Sequence, residues 1–115
     1  MAASSSFGLY GNANFTTEEL QILAVTSTSA AGSFTNGATS LDCMIYNNGT
    51  AGCYVVFSTT ATPTALNAAG NASGTKTSYI APGAYVVVGK GTAAYFAAIT
   101  DTGTATLFLH AGRGA

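Results

Sequence analysis

The sequence predicts an all-β protein: a small antiparallel β-sandwich or jelly-roll-like barrel of about seven to eight strands, with an extended N-terminal arm. Three observations predict it. β-branched and aromatic residues come in short runs, and Gly, Asn, Ser and Thr clusters separate the runs. No long stretch of helical period lies between them, so βαβ crossovers are not expected. At 115 residues the chain suits one domain, which we assign to residues 16–115, with the arm over residues 1–15.

In the arm, MAASSSFGLYGNANF, small and polar spacers hold four large anchors, Phe7, Leu9, Tyr10 and Phe15. Disordered tails are poor in aromatics. The expectation is therefore an arm that orders against its own domain, a neighbouring copy or another protein. The alternative is a first edge strand. TTEEL (16–20) sets Thr16 three residues before Glu19, the spacing of a capping box, so one helical turn is conceivable there beside a plain polar turn.

The expected strands are LQILAVTS (20–27), SLDCMIYN (40–47), GCYVVFST (52–59), TKTSYIA (75–81), AYVVVG (84–89), AAYFAAIT (93–100) and TATLFLHA (104–111), with a further short piece possible at 63–69. Asn47-Asn48-Gly49 reads as a hairpin turn. A three-residue loop there would set Tyr46 opposite Thr50 and Cys43 opposite Cys53, whereas a longer loop through Gly52 would separate the cysteines. The default for both is a reduced thiol acting as a small apolar residue. Pro82-Gly83 sits at the central positions of a type II turn. Asp101-Thr102-Gly103 reads as the turn of a last hairpin. Beyond it, Ala105, Leu107 and Leu109 fall on one face, suited to a core. Thr104, Thr106, Phe108 and His110 fall on the other, a candidate subunit interface. The alanines of 93–98 suggest close approach of a second sheet or subunit.

Charge is the compositional oddity. Only 6% of residues are charged and the net charge is −1, against about 25% charged in ordinary soluble domains. Mean hydropathy is positive. Low charge removes colloidal repulsion and favours association, so the chain is expected in an assembly. Three basic residues give no footprint for nucleic acid, and no apolar run is long enough for a membrane span. The opening residues lack the basic and apolar regions of a secretory signal. The Asn-x-Ser/Thr triplets at Asn14, Asn48 and Asn71 are therefore read as chance.

No catalytic constellation stands out. One His, four carboxylates and two Cys do not fall at the spacing of a nucleophile–base pair or a zinc site. GKGT (89–92) lacks the upstream Gly of a phosphate loop. His110 reads as a polar surface or interface residue, and Arg113 as a charged contact. We expect no catalytic residue, metal or cofactor.

The segments YNNGTAGCYVVF (46–57), IAPGAYVVV (80–88) and FAAITDTGTATLFLHAGRG (96–114) resemble a family of small β-rich structural proteins of tailed bacteriophages. The resemblance covers roughly residues 40 to 114. It departs at Asp42-Cys43-Met44, where the family tends to carry a basic residue. It implies a virion component made in the host cytoplasm: a decoration or cement protein that binds the outside of the assembled capsid through the major capsid protein, commonly as a homotrimer. On that reading the arm anchors Phe7, Leu9, Tyr10 and Phe15 contact the capsid or a neighbour. Tyr95, Phe108, His110 and Arg113 form the subunit interface. The alternative is a head-fibre, tail or neck component that recognises a host-surface glycan through Tyr10, Tyr46, Tyr54, Tyr79, Tyr85 or Tyr95.

Overall fold

The computed structural model describes residues 19–35, 41–66 and 77–112. Eight strands and no helix occur among them: β1 (Glu19–Val25), β2 (Ala30–Ser33), β3 (Asp42–Asn47), β4 (Cys53–Ser58), β5 (Ser78–Ile80), β6 (Tyr85–Gly89), β7 (Tyr95–Thr100) and β8 (Ala105–Gly112). Glu19 and Leu20 begin β1, so these two residues are extended and not part of a helical turn. The arm and Thr16 lie outside the described residues. β2, with the small-residue sequence AAGS, was not expected as a strand. Residues 63–66 form no strand.

The strands form two antiparallel four-stranded sheets, ordered β1-β8-β3-β6 and β2-β7-β4-β5. β1 pairs β8, β2 pairs β7, β3 pairs β6 and β4 pairs β5, and the β3–β8 and β4–β7 pairs join them into sheets. Strands paired first with last in this way are one long hairpin wound round a core. This is the eight-stranded jelly roll, one of the double-sheet solutions to the edge-strand problem.

That winding corrects two expectations. β3 and β4 do not form a hairpin, because β3 lies in one sheet and β4 in the other. Asn47-Asn48-Gly49 opens a corner between sheets, and Cys43 pairs with Val88 and Ala111, not with Cys53. β7 and β8 are likewise in different sheets, so 101–103 is a corner and not a hairpin turn. The turn chemistry itself holds. Ala84 N donates to Ala81 O at 3.0 Å around Pro82-Gly83, with Gly83 at φ 75° and Gly103 at φ 82°, where a side chain is disfavoured.

The core lies between the sheets. Ala105, Leu107 and Leu109 are buried there as the alternation predicts, with Val25, Ile45, Val55, Ile80 and Phe96. Cys43 and Cys53 are buried free thiols in the same cluster. Phe34 caps one end, its ring centroid 4.9 Å from that of Phe96. A Cβ on Gly32 would stand 2.7 Å from the Phe96 ring, so a bare backbone is needed for β2 to close over it.

Two polar residues fix the ends of the sandwich. Asn47 is fully buried. Its Nδ2 donates to Ala51 O at 2.9 Å and Ile80 O at 3.0 Å. Its backbone N donates to Ala84 O, and its backbone O accepts from Gly83 N. One side chain thus ties the β3–β4 corner to the end of β5. Lys90 is buried at the β6–β7 corner. Its Nζ donates to Ala93 O at 2.9 Å and lies 5.5 Å from the Phe34 ring centroid. Burial lowers its pKa, opposed by Cys43, Asp42 and Glu19 nearby.

Candidate docking face

The outward side of the β1-β8-β3-β6 sheet is where the sequence places its unusual surface. Alternation turns Leu20, Ile22 and Ala24 of β1 outward, because Val25 and Leu23 of the same strand meet the core. The same parity turns outward Thr106, Phe108 and His110 of β8 and Asp42, Met44 and Tyr46 of β3, all half-buried, and Tyr85 and Val87 of β6, which are exposed. Register then aligns these residues in rows. Leu20, His110, Met44 and Val87 form one row across the four strands, and Ile22, Phe108, Tyr46 and Tyr85 form the next.

The second row is an aromatic run. The Tyr46 and Tyr85 rings stack with centroids 4.6 Å apart and planes 25° apart. Phe108 meets Tyr46 at 6.0 Å and 41°. Both contacts follow from direct cross-strand opposition, which brings side chains on one face within reach. The outer strands are the most open: Leu20 is 53%, Ile22 60%, Tyr85 65% and Val87 58% exposed. On these four strands, Asp42 and His110 are the only outward acidic or basic side chains, and Asp42 lies at the rim, opposite Gly89 and Gly112. An apolar, almost uncharged sheet face of this kind marks an interaction surface more often than a solvated one.

The expected interface residues do not gather in one place. Phe108 and His110 lie on this face. Tyr95 is on the outward side of the other sheet, since its neighbour Phe96 faces the core. There it borders a depression of about 180 Å³ with Ala31, Ser33 and Thr62. Arg113, Phe7, Leu9, Tyr10 and Phe15 lie outside the described residues. The candidate glycan contacts divide as well. Tyr46 and Tyr85 stack on this face, while Tyr54 and Tyr79 pair at 5.1 Å on the opposite sheet. Leu20, Ile22, Met44 and Val87 were not singled out in the sequence. The signal was present in LQILAV and YVVVG, which carry apolar residues on both parities of the strand. A strand with one solvated face alternates apolar and polar.

The alanines of β7 meet two partners: Ala98 faces the core against the second sheet, as expected, and Ala97 faces outward. Ala97 and Ile99 are covered from outside by Ala65 of the β4–β5 connection, whose N–H donates to Ser29 Oγ at 2.9 Å. On the outward side the close approach comes from the chain's own loop.

No group of three or more potential metal ligands occurs among the described residues. Burial pushes the Cys43 thiol up to about 12 and Cys53 up to about 11. Both are protonated at neutral pH, and a thiol is a poor nucleophile and metal ligand. No helix among the described residues is long and apolar enough to cross a membrane. Comparison with protein-family models, curated proteins and solved structures finds no match.

Proposed function

We propose that this protein is a non-catalytic decoration subunit of a bacteriophage capsid, docking on the outside of the assembled shell through the outward face of the β1-β8-β3-β6 sheet. The observation that carries the reading is that face: two apolar rows, an aromatic run and almost no charge. A role of this kind needs area and shape, and no reactive centre. The resemblance of residues 46–57, 80–88 and 96–114 to tailed-phage structural proteins supplies the kind of partner, the major capsid protein. A subunit that binds only the assembled shell stabilises it by mass action, and many copies multiply a modest interface. The homotrimer that the resemblance implies is not part of this reading, and sedimentation reads the oligomeric state directly.

A second reading rests on the stacked Tyr46–Tyr85 pair, a platform on which a host-surface glycan could lie. Sugar sites add convergent hydrogen-bonding groups to the aromatic plane. Here Asp42 and His110 flank the platform one row or more away, which favours the shell.

The test uses shells assembled without this protein. Wild type should bind them in hundreds of copies, counted by quantitative mass spectrometry, and raise their resistance to heat. Tyr85→Asp and Val87→Asp, exposed and outside the core, should fold and lose binding. Undiminished binding by both variants rules out the face, and binding of wild type to host glycans but not to shells favours the second reading.

A further inference from the structure

We propose that β1 pairs antiparallel with β1 of a second copy, joining two β1-β8-β3-β6 sheets into one eight-stranded platform. The role of the platform rests on the reading above; the pairing is a property of the protein alone.

The four sheet edges among the described residues are unequal. An edge strand presents unpaired backbone N–H and C=O groups, and natural proteins guard against this with short strands, charge, Pro or bulges. β2 has four residues and β5 three, so the second sheet offers little edge. β6 has five and ends at Gly89. β1 runs for seven, ELQILAV, with no Pro or Gly and one charge, Glu19, at its first residue. Its far side is already committed to β8 over all seven residues, so the strand is held straight and in register for a partner. The longest edge therefore has little beyond Glu19 to protect it.

Charge selects the orientation. Parallel pairing in register would set Glu19 beside Glu19. Full antiparallel overlap sets Glu19 opposite Val25, Leu20 opposite Ala24 and Ile22 opposite Ile22. Directly opposed residues in an antiparallel pair project to the same side. The exposed Leu20 and Ile22 of the two copies then meet, and the two apolar faces run on without a step.

Area selects the same arrangement. Four strands about 4.8 Å apart and about five residues long, at roughly 3.4 Å each, give a face on the order of 350 Å². A standard specific interface needs about 800 Å² per partner, which one copy's face does not reach. Two faces joined at β1 give about 700 Å², close to that requirement. Stacking the faces on one another would instead bury them and leave nothing to dock.

The test is site-directed crosslinking in the full chain. Opposed strand residues lie within the Cα separation that a disulfide spans. The native Cys43 and Cys53 are buried and do not compete. Ile22→Cys should form a covalent dimer under mild oxidation about tenfold faster than Val87→Cys on the β6 edge, because paired thiols react at a high effective concentration. A mixture of Leu20→Cys and Ala24→Cys chains should crosslink to each other and gives the same readout if Ile22→Cys folds poorly. Wild type should sediment as a dimer at micromolar concentration. A monomer, a trimer, or crosslinking through Val87→Cys as fast as through Ile22→Cys overturns the pairing. A crosslinked dimer that fails to bind shells leaves the pairing standing and removes the decoration role. A monomer that binds shells fully does the reverse.

Discussion

The two outward faces of the sandwich are built from similar strands and treated in opposite ways. On the β2-β7-β4-β5 sheet, the chain's own 63–66 segment lies over Ala97 and Ile99, and Ala65 is buried there. On the β1-β8-β3-β6 sheet the described residues leave two rows of larger apolar side chains open. Side-chain size accounts for part of the difference. A loop backbone can settle on Ala97 because its side chain is a single methyl, whereas the stacked Tyr46–Tyr85 pair and Phe108 rise as a ridge.

The sharpest way to break this comparison is to place one carboxylate on each face. Ala97→Asp puts a charge beneath the 63–66 segment, at a position with no exposure. It should cost about 3 kcal/mol or more of stability, read by urea denaturation. Val87→Asp should cost no more than about 0.5 kcal/mol while abolishing binding to shells assembled without this protein. Equal costs would mean that the two faces are equally covered.

Asn47 tests the corner that holds both sheets. Asn47→Ala leaves Ala51 O and Ile80 O without their donor, at about 1–3 kcal/mol for each buried group left unsatisfied. The expected loss is about 2–4 kcal/mol, with a lower melting temperature and the β spectrum retained at low temperature. A neutral outcome would mean that the corner is held by its backbone bonds alone.

The inward faces can be compared through their thiols, Cys43 in one sheet and Cys53 in the other. Both folded values, about 12 and about 11, lie above the ordinary 9.0. Their stabilising contribution is therefore complete below pH 9 and is lost as pH rises through that window, by up to about 1.4 kcal/mol per pH unit for each thiol. Lys90 works the other way. Its folded pKa is lowered from 10.5, so stability rises with pH between the folded value and 10.5. Chemical denaturation from pH 8 to 11 should show a net fall, shallower in Cys43→Ala and Cys53→Ala and steeper in Lys90→Met. A flat profile in wild type would contradict the burial of both thiols.

The smallest effect concerns the connection that leads to the covering segment. Thr62 sits at φ 51°, a region β-branched residues rarely adopt. Thr62→Gly should gain a few tenths of a kcal/mol to about 1 kcal/mol, visible as a small rise in melting temperature. A loss would mean that the Thr62 Oγ1 bond to Ala61 O outweighs the backbone strain.

The sequence by itself determined which side of most strands points inward. Alternation in TATLFLHA assigned Ala105, Leu107 and Leu109 to the core, because successive side chains on a strand must point to opposite faces. Local chemistry also located the turns: Pro82-Gly83 and Asp101-Thr102-Gly103 reverse the chain where expected, since Pro and positive-φ Gly act through their own backbone. Partner choice belonged to the tertiary structure. A reversal between strands looks the same whether the next strand joins the same sheet or crosses to the other. Asn47-Asn48-Gly49 therefore suggested a hairpin with Cys43 facing Cys53, where the fold makes a corner with Cys43 beside Ala111. The same non-local choice put Tyr95 on the opposite sheet from Phe108 and His110. It also made a strand of AAGS, whose Gly32 is needed against a Phe96 sixty-four residues away in sequence, a contact no local pattern encodes. Which face the described residues leave open was settled only when the β4–β5 connection came to rest on the other one.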